Sequence, residues 1–432
     1  MRSAAARVRA CAALILLAFA GGAVAQEPDP TPEAAASQLH FRVGWPEGIV
    51  YEVRKASPAL HDVGPLSWFE EVYLRGRVGV RLDVDGAAFL ADESLSDFND
   101  DVTLRRARFY LLGAFRFGVP LAYRFEFSIE GSRVYLNDFY VRLRPPRWVD
   151  AIDVGYMTPP MGLENIVSSR SLSLMEMAAP VQAMAPGFRS GVAASGHSDP
   201  RRLAWQAGFF SAGQEQVSGD ASKAALQVIG RIAGVPWRQA DDEGASFLHL
   251  GVSAGYVFSS NSVRYRARPE SFVAPYMVDT GDTSARSAVQ TCFEGAWVDG
   301  PLQVSGEMLQ SLIDAGGGEQ YLYGLYGMTS WVLTGEHRRY DRATGMFERL
   351  VPSHPVTLHG GWGAFEIAQR FSWLDLTSGS VHGGQLLDFT SGVTWHLNTQ
   401  LRLFANYGLA HAADGPQSGR VHIFQARVEL GI

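Results

Sequence analysis

Four consecutive segments near the start of the chain alternate apolar and charged residues with a strict period of two. In the first, residues 77–90, Val78 and Val80 alternate with Arg77 and Arg81. A period of two is the repeat of a β-strand, whose successive side chains point to opposite faces of a sheet. The same alternation continues in residues 103–117, 121–130 and 133–144. The pattern predicts antiparallel strands with one apolar and one charged face, in either a soluble sandwich or a membrane-embedded barrel.

The N-terminal residues favour the membrane alternative. Arg2, Arg7 and Arg9 precede a short apolar core at 11–20 and an A-x-A cleavage site at 23–25, which together predict a secretory signal peptide. No later segment has the roughly 18 consecutive apolar residues of a transmembrane helix. An exported chain that crosses a membrane without helices has to form a closed barrel, because every backbone polar group must be paired.

The strand count agrees with a barrel. We predict about 16 strands, an even number as expected for a bacterial barrel. We therefore divide the chain into a signal peptide (1–25), a periplasmic linker with a candidate hairpin (26–70) and a transmembrane β-barrel (71–432). The parity of the second strand places Arg105 on the apolar face. The later strands are predicted at 150–157, 187–196, 202–212, 226–235, 246–258, 286–298, 301–313, 320–336, 356–371, 386–397, 400–410 and 420–432.

The longest connections have distinct expected roles. Between the strands near 150–157 and 187–196 lie roughly 25 to 30 residues without clean periodicity, and a loop of that length is usually functional. We predict that it folds inward and narrows the pore. Residues 372–384 are predicted to form a long external loop. Residues 337–355 form a long connection on the side where short turns are expected, with a candidate hairpin around Gly345.

Charge and cysteine content exclude several classes of protein. The formal net charge is −7, and removing three signal arginines makes it more negative, so nucleic-acid binding is not expected. Lys55 and Lys223 are the only lysines, and Cys292 is the only cysteine after the signal. Because no zinc-binding spacing is present, we expect neither a metal nor a cofactor.

Three sequence blocks give the chain a family resemblance. The first, residues 161–192, reads MGLENIVSSRSLSLMEMAAPVQAMAPGFRSGV; the second spans 333–350, and the third spans 360–376 and continues at 392–407. With these blocks the chain resembles the phosphate-selective porin O and P family of Gram-negative bacteria. The resemblance implies a 16-stranded barrel in the cell outer membrane. It further implies a homotrimer in outer-membrane lipid that passes small anions such as phosphate or polyphosphate.

The chain departs from that family in two respects. Its members select with many lysines, whereas this chain has two, and they tend to carry arginine where Met177 stands. Alternation predicts a set of lumen-facing, anion-contacting arginines. They are Arg77, Arg81, Arg106, Arg108, Arg116, Arg124, Arg142, Arg144, Arg231, Arg370, Arg402 and Arg427. In the inward loop we single out Glu164, Arg170, Glu176 and Arg189.

Several alternatives remain open on the sequence. The arginines either select anions, as charged rings in pores do, or pair with lumen carboxylates. The pore could also be a general or sugar-passing one. A third alternative is a secreted soluble β-protein, either a binding protein or a hydrolase with Ser253 of the segment 251–255 (GVSAG) as nucleophile. That motif requires a strand-turn-helix, whereas here it lies inside an alternating strand, so we do not expect an enzyme.

Overall fold

The computed structural model describes most of the chain from Gln38 onward. The described ranges are 38–44, 48–54, 74–117, 119–131, 133–145, 149–199, 202–212, 226–239, 246–258 and 262–432. The predicted signal peptide, residues 1–25, lies outside these ranges and stays a prediction. So does most of the predicted linker, of which two strands are described.

β-strands dominate the described residues, as the alternation predicts. The helical elements are two short helices, Leu163–Ile166 and Ala179–Met184, and a 3₁₀ turn at Ser169–Ser171. No described helix is both long and apolar enough to cross a membrane. The strands are β1 (Gln38–Gly44), β2 (Gly48–Arg54), β3 (Leu74–Ala91), β4 (Asp101–Phe117), β5 (Val119–Glu130), β6 (Arg133–Leu143), β7 (Ala151–Met157), β8 (Arg189–Ser198), β9 (Leu203–Ser211), β10 (Leu226–Arg238), β11 (Ser246–Phe258), β12 (Ser262–Val263), β13 (Arg266–Ala267), β14 (Val278–Asp279), β15 (Thr283–Asp299), β16 (Leu302–Ala315), β17 (Gly318–Val332), β18 (Tyr340–Asp341), β19 (Met346–Phe347), β20 (Ala364–Ser378), β21 (Val381–His396), β22 (Leu401–Ala413) and β23 (Gly419–Gly431).

The main sheet closes on itself. Among the described residues it contains 19 strands, and all of these except β1, β2 and β12 form a ring of antiparallel neighbours. The seam lies between β23 and β3, from Val421 opposite Ala91 to Gly431 opposite Arg81. Closure leaves no unpaired sheet edge in the membrane, as a lipid environment requires. The predicted antiparallel barrel of about 16 strands is confirmed.

The two faces of the wall differ as the sequence pattern predicts. Outward side chains are apolar and exposed, for example Phe139 at 49% and Phe209 at 68%, whereas inward Asp83 is fully buried. Tyr321 and Trp331 lie near opposite ends of β17 and are both exposed. Aromatic residues at both ends of outward faces are typical of the two membrane interfaces.

A β-bulge overturns the prediction for Arg105. The pairing of β3 with β4 shifts between Asp83 and Val84, so that Asp83 lies opposite Arg106 and Val84 opposite Leu104. Arg105 is therefore an extra residue between these pairs, which changes the side on which it points. It enters the lumen instead of joining the apolar face and bonds to Glu176 of the inward loop.

Two connections differ in length from the prediction. Residues 372–384 do not form a long external loop, because β20 continues to Ser378 and β21 starts at Val381. On the periplasmic side, the end with the shorter turns, residues 333–363 connect β17 to β20. They contain the small hairpin β18–β19, with Gly345 at a φ of 66° in its turn. The hairpin predicted around Gly345 is thus present.

The N-terminal hairpin and the C-terminus share one edge of β3. Strand β1 pairs with β2, and β2 pairs with β3 from Ile49 opposite Val78 to Val53 opposite Leu74. Just beyond this stretch, Ile432 exchanges both backbone hydrogen bonds with Val80. The hairpin thereby extends the sheet past the end of the last strand.

Gly155 offers a test of the barrel wall. It has a φ of 142°, and a Cβ atom there would lie 2.2 Å from the carbonyl oxygen of Phe139. Gly155→Ala should lower the free energy of unfolding by about 1–3 kcal/mol, the usual cost of a strained backbone position. The measurement is the temperature at which the folded, fast-migrating band is lost in gel electrophoresis. Gly327→Ala, where a Cβ atom meets nothing within 4 Å, is the matched control and should leave that temperature unchanged.

Candidate permeation site

Residues 158–188 fold into the barrel as one packed body. Met161, Leu174 and Ala178 are at most 2% exposed, although they belong to a loop. The short helix Ala179–Met184 packs against wall strands β16, β17 and β20 and against the external strand β13. The predicted inward-folded constriction loop is therefore confirmed. It contains helical turns that its sequence pattern does not predict.

Glu307 fixes the start of this loop. Its carboxylate accepts hydrogen bonds from the backbone N–H groups of Leu163 (2.8 Å) and Glu164 (2.7 Å) and from the hydroxyl of Tyr326 (2.7 Å). Ser253 accepts a further bond from the backbone N–H of Gly162 at 3.1 Å. Ser253 lies inside strand β11, so the strand-turn-helix of a hydrolase nucleophile is absent there and the serine serves as an anchor.

Arg370 joins the inward loop and the external segment 262–282 to the barrel wall. Its guanidinium group bonds to Glu164 of the inward loop at 2.9 Å and to Glu270 at 2.6 Å. Glu270 belongs to the external segment 262–282 and also accepts hydrogen bonds from Ser372 and Thr390, both at 2.6 Å. Arg370 was predicted to contact anions, but it is 1% exposed and holds the loops together.

The position of Glu164 predicts a pH dependence. Burial raises its pKa from 4.5 to about 7, with Glu307 adding to the rise and Arg370 opposing it. A carboxyl group whose pKa is raised in the inserted loop stabilises that state when protonated. This stabilisation of the inserted loop is about 3 kcal/mol. It is complete below pH 4.5 and is lost as the pH rises through about 7.

We therefore expect the single-channel conductance to rise between about pH 5 and pH 8 as the loop loosens. Glu164→Gln should remove this pH dependence. Glu93→Gln, which changes an exposed external carboxylate, should keep it. A conductance that falls over this range in the wild type would contradict the role of Glu164.

Most of the predicted lumen-facing arginines are paired with carboxylates. On β4, β5 and β6 some of these arginines stay accessible despite their ion pairs. The side chains of Arg124 and Arg142 are 42% and 32% exposed. We call Arg108, Arg124 and Arg142 the permeation face. The pairs, at N···O distances of 2.6–2.9 Å, are Arg81–Glu429, Arg106–Asp83, Arg108–Glu126, Arg124–Asp138, Arg142–Asp153, Arg402–Glu429 and Arg427–Asp85.

The periplasmic connection 333–363 also turns into the lumen. Arg338 bonds to both carboxylate oxygens of Glu366 at 2.7 Å and to Ser173 of the inward loop at 2.9 Å. Arg231 pairs with Glu294 and donates to the carbonyl oxygen of Gly345 at 2.9 Å. Arg231 therefore anchors this connection instead of meeting the solvent.

A cavity of about 690 Å³ opens at the periplasmic end. The predicted residues Arg77 and Arg144 line it together with two members of the permeation face, Arg124 and Arg142. Within the described part of the chain, no ion pair joins Arg77 or Arg144 to a carboxylate. The cavity thus contains two arginines whose charge no described carboxylate balances.

The remaining predicted residues occupy separate places. Arg170 donates to the carbonyl oxygen of Thr399 at 3.0 Å, near a periplasmic turn, so the inward loop reaches that end. Glu176 pairs with both Arg105 and Arg427. Arg189 is half-buried at the start of β8 and donates to the carbonyl oxygen of Phe188. The side chain of Arg116 lies outside the described ones.

Sequence reasoning missed several residues of this site, including Glu307, Arg105, Glu270 and Arg338. Arg105 could have been found from its neighbour Arg106, because two adjacent arginines in a strand can both face the lumen only at a bulge. Glu270 and Arg338 lie in irregular segments where no periodicity indicates an inward direction. Their partners, Arg370 and Glu366, come into contact only in the folded barrel.

Comparisons with known proteins agree with this architecture. A family model described as phosphate-selective porin O and P matches residues 74–431. An uncharacterized protein of Caulobacter vibrioides is 26% identical over 433 residues, covering 94% of this chain and 85% of that protein. An anion-selective porin from Comamonas acidovorans has a TM-score of 0.53 at 13% identity, with 83% of this chain and 100% of that one covered. The trimer form of OmpT, an outer membrane protein of Vibrio cholerae, has a TM-score of 0.52 at 8% identity, with 83% and 99% covered.

Proposed function

Since this chain belongs to the phosphate-selective porin O and P family and is a porin of the outer membrane, we propose that it forms a channel for the passive diffusion of small anions. The observation that carries the proposal is the arginine-lined path from the permeation face to the periplasmic cavity. Guanidinium groups in a narrow aqueous pore lower the barrier for anions and raise it for cations.

The periplasmic cavity should contribute most to the selectivity. On the permeation face each arginine shares its charge with a carboxylate, so the local field is weak. At the cavity, Arg77 and Arg144 have no such partner among the described residues. An anion passing there meets net positive charge.

Arg77→Glu and Arg144→Glu test this contribution. Each replacement should reduce the ratio of chloride to potassium permeability about fivefold, because changing a charge close to the ion path alters its energy by about 1 kcal/mol. Reversal potentials in a salt gradient across planar bilayers give this ratio. Arg133→Glu, at an exposed external position, is the control. If all three variants keep the wild-type ratio, these arginines do not select.

A general or sugar-passing pore is the competing function. It predicts equal permeability for chloride and potassium and no effect of the same replacements. Phosphate, to which the family's name refers, belongs to the proposal as one candidate anion. Currents carried by chloride and by phosphate through the same channel separate a phosphate-selective pore from a general anion pore.

The partners we propose follow from the outer surface. Its exposed apolar side chains face outer-membrane lipid. We propose a homotrimer, because the similar OmpT barrel was solved in a trimer form. Cross-linking of the detergent-solubilised protein would show three linked chains. We also propose that the mature chain starts at Gln26, which N-terminal sequencing would establish.

A further inference from the structure

The external segment 262–282 and strand β4 together form a series of alternating guanidinium groups and aromatic rings. The Cζ atom of Arg266 lies 4.3 Å from the ring centre of Tyr276, and that of Arg268 lies 4.7 Å from the same ring. Arg268 also lies 5.1 Å from the ring of Phe272, and Arg105 lies 4.1 Å from that ring. These distances fall within the range of cation–π contacts. We call these five residues the external ladder.

The fold holds the ladder in place. Strand β13 pairs with β14, with Arg266 opposite Asp279, and the two-residue period puts Arg266 and Arg268 on one half-exposed face. Ala267, between them, is fully buried. Glu270 ties the same segment to Arg370 in the lumen. The ladder is therefore a fixed part of the external mouth.

The inner end of the ladder enters the pore. Arg105 lies on the lumen side of β4 and bonds to Glu176 of the inward loop at 2.9 Å and to Glu130 at 3.0 Å. Arg108 of the permeation face lies three residues further along the same strand. The ladder and the permeation face are therefore neighbours along β4.

The periplasmic end repeats this pairing of cation and ring. Arg142 lies 5.5 Å from the ring centre of Tyr140, and Arg77 lies 5.8 Å from that of Tyr110. The cavity between them has apolar walls that include Leu112. Both ends of the path therefore offer flat apolar surface beside a guanidinium group.

This surface suits one class of anion. A compact, strongly hydrated dianion such as phosphate must exchange its water shell for hydrogen-bond donors. Here the permeation face is already bonded to carboxylates, and lysine is almost missing from the chain. A flat aromatic monocarboxylate loses less hydration, stacks on rings and guanidinium planes, and needs only one free edge of an arginine.

Resting on the proposed anion function, we propose that the external ladder binds aromatic monocarboxylates and that the channel passes them in preference to phosphate. The ladder's rings supply the stacking surface, and Arg268, which is in contact with both rings and has no ion pair with a described carboxylate, supplies the charge. Selectivity then depends on the shape of the apolar part of the anion as well as on its charge.

Inhibition of the chloride current through the full mature protein in planar bilayers tests the proposal. Benzoate should inhibit at a concentration about three- to tenfold below that of cyclohexanecarboxylate, which has equal charge and no aromatic ring, since stacking has an effect of this size. Phosphate should require the highest concentration. Phe272→Leu and Tyr276→Leu should each abolish the advantage of benzoate, and Phe209→Leu on the outer wall should keep it.

The outcomes separate this proposal from the anion function itself. A chloride-selective channel that benzoate and cyclohexanecarboxylate inhibit equally, or that phosphate inhibits at the lowest concentration, overturns the aromatic preference alone. A channel that does not prefer chloride to potassium overturns the anion function. The order of the three inhibitors on the wild-type protein decides the question even where a variant fails to fold.

Discussion

Replacing Arg370 by methionine is expected to release both external segments from the lumen and to raise the single-channel conductance several-fold. The change leaves Glu164 and Glu270 buried without their cation, and losing one partner of a buried ion pair costs about 3–5 kcal/mol. The barrel itself is held by backbone pairing, so the strain falls on the two segments. Bilayer recordings measure the conductance, and trypsin cleavage after Arg266, which Ala267 follows, reports the release of the external segment.

Two further variants show whether the lost charge pairing is the cause. Arg286→Met, which removes an exposed arginine at the external end of β15, should leave the conductance at the wild-type level. Adding Glu164→Gln and Glu270→Gln to Arg370→Met removes the unpaired carboxylates and should restore most of the wild-type behaviour. If Arg370→Met conducts like the wild type, Arg370 does not hold the segments.

The second large effect is expected at the periplasmic end. Arg338→Met removes the link between the connection 333–363, the wall residue Glu366 and the inward loop at Ser173. Glu366 keeps one partner, His396, at 3.0 Å, so a loss of about 3 kcal/mol is expected. The connection should leave the lumen, and cleavage by trypsin after Arg342 should become at least tenfold faster, as about 1.4 kcal/mol of local opening already implies.

The adjacent residue supplies the control for this variant. Arg339 is exposed, so Arg339→Met should change neither the rate of cleavage after Arg342 nor the conductance. Equal cleavage rates in Arg338→Met and the wild type would show that Arg338 does not secure the connection.

The wall was predictable because one physical rule governs each strand. Lipid on one side and polar lumen on the other impose the two-residue pattern, and β3 to β6 follow it closely. The pattern fails in β20, where Leu374 and Leu376 face inward and are fully buried. They pack against segments that fold into the barrel, so both faces of the strand are apolar there. For this reason residues 372–384 resembled a loop in sequence.

The site was predictable in its residue types and only partly in its contacts. Alternation placed Arg81 and Arg427 correctly in the lumen, but it could not give the partners of Arg370 or Arg231. Those partners lie in segments whose path depends on long-range contacts, such as Glu270 and the carbonyl of Gly345. Arg105 was misplaced because a single bulge reverses the parity on which the prediction rests.

The shared edge of β3 has a consequence for how the barrel closes. Strands β23 and β2 run in the same direction and lie end to end along this edge of β3. Ile432 lies opposite Val80, and Ile49 lies opposite Val78. Strand β2 immediately precedes β3 in the order of the described strands, whereas β23 comes last in that order. A hairpin already in place acts as a stop for the arriving strand. The register of the seam therefore cannot slip toward the periplasm without displacing the hairpin.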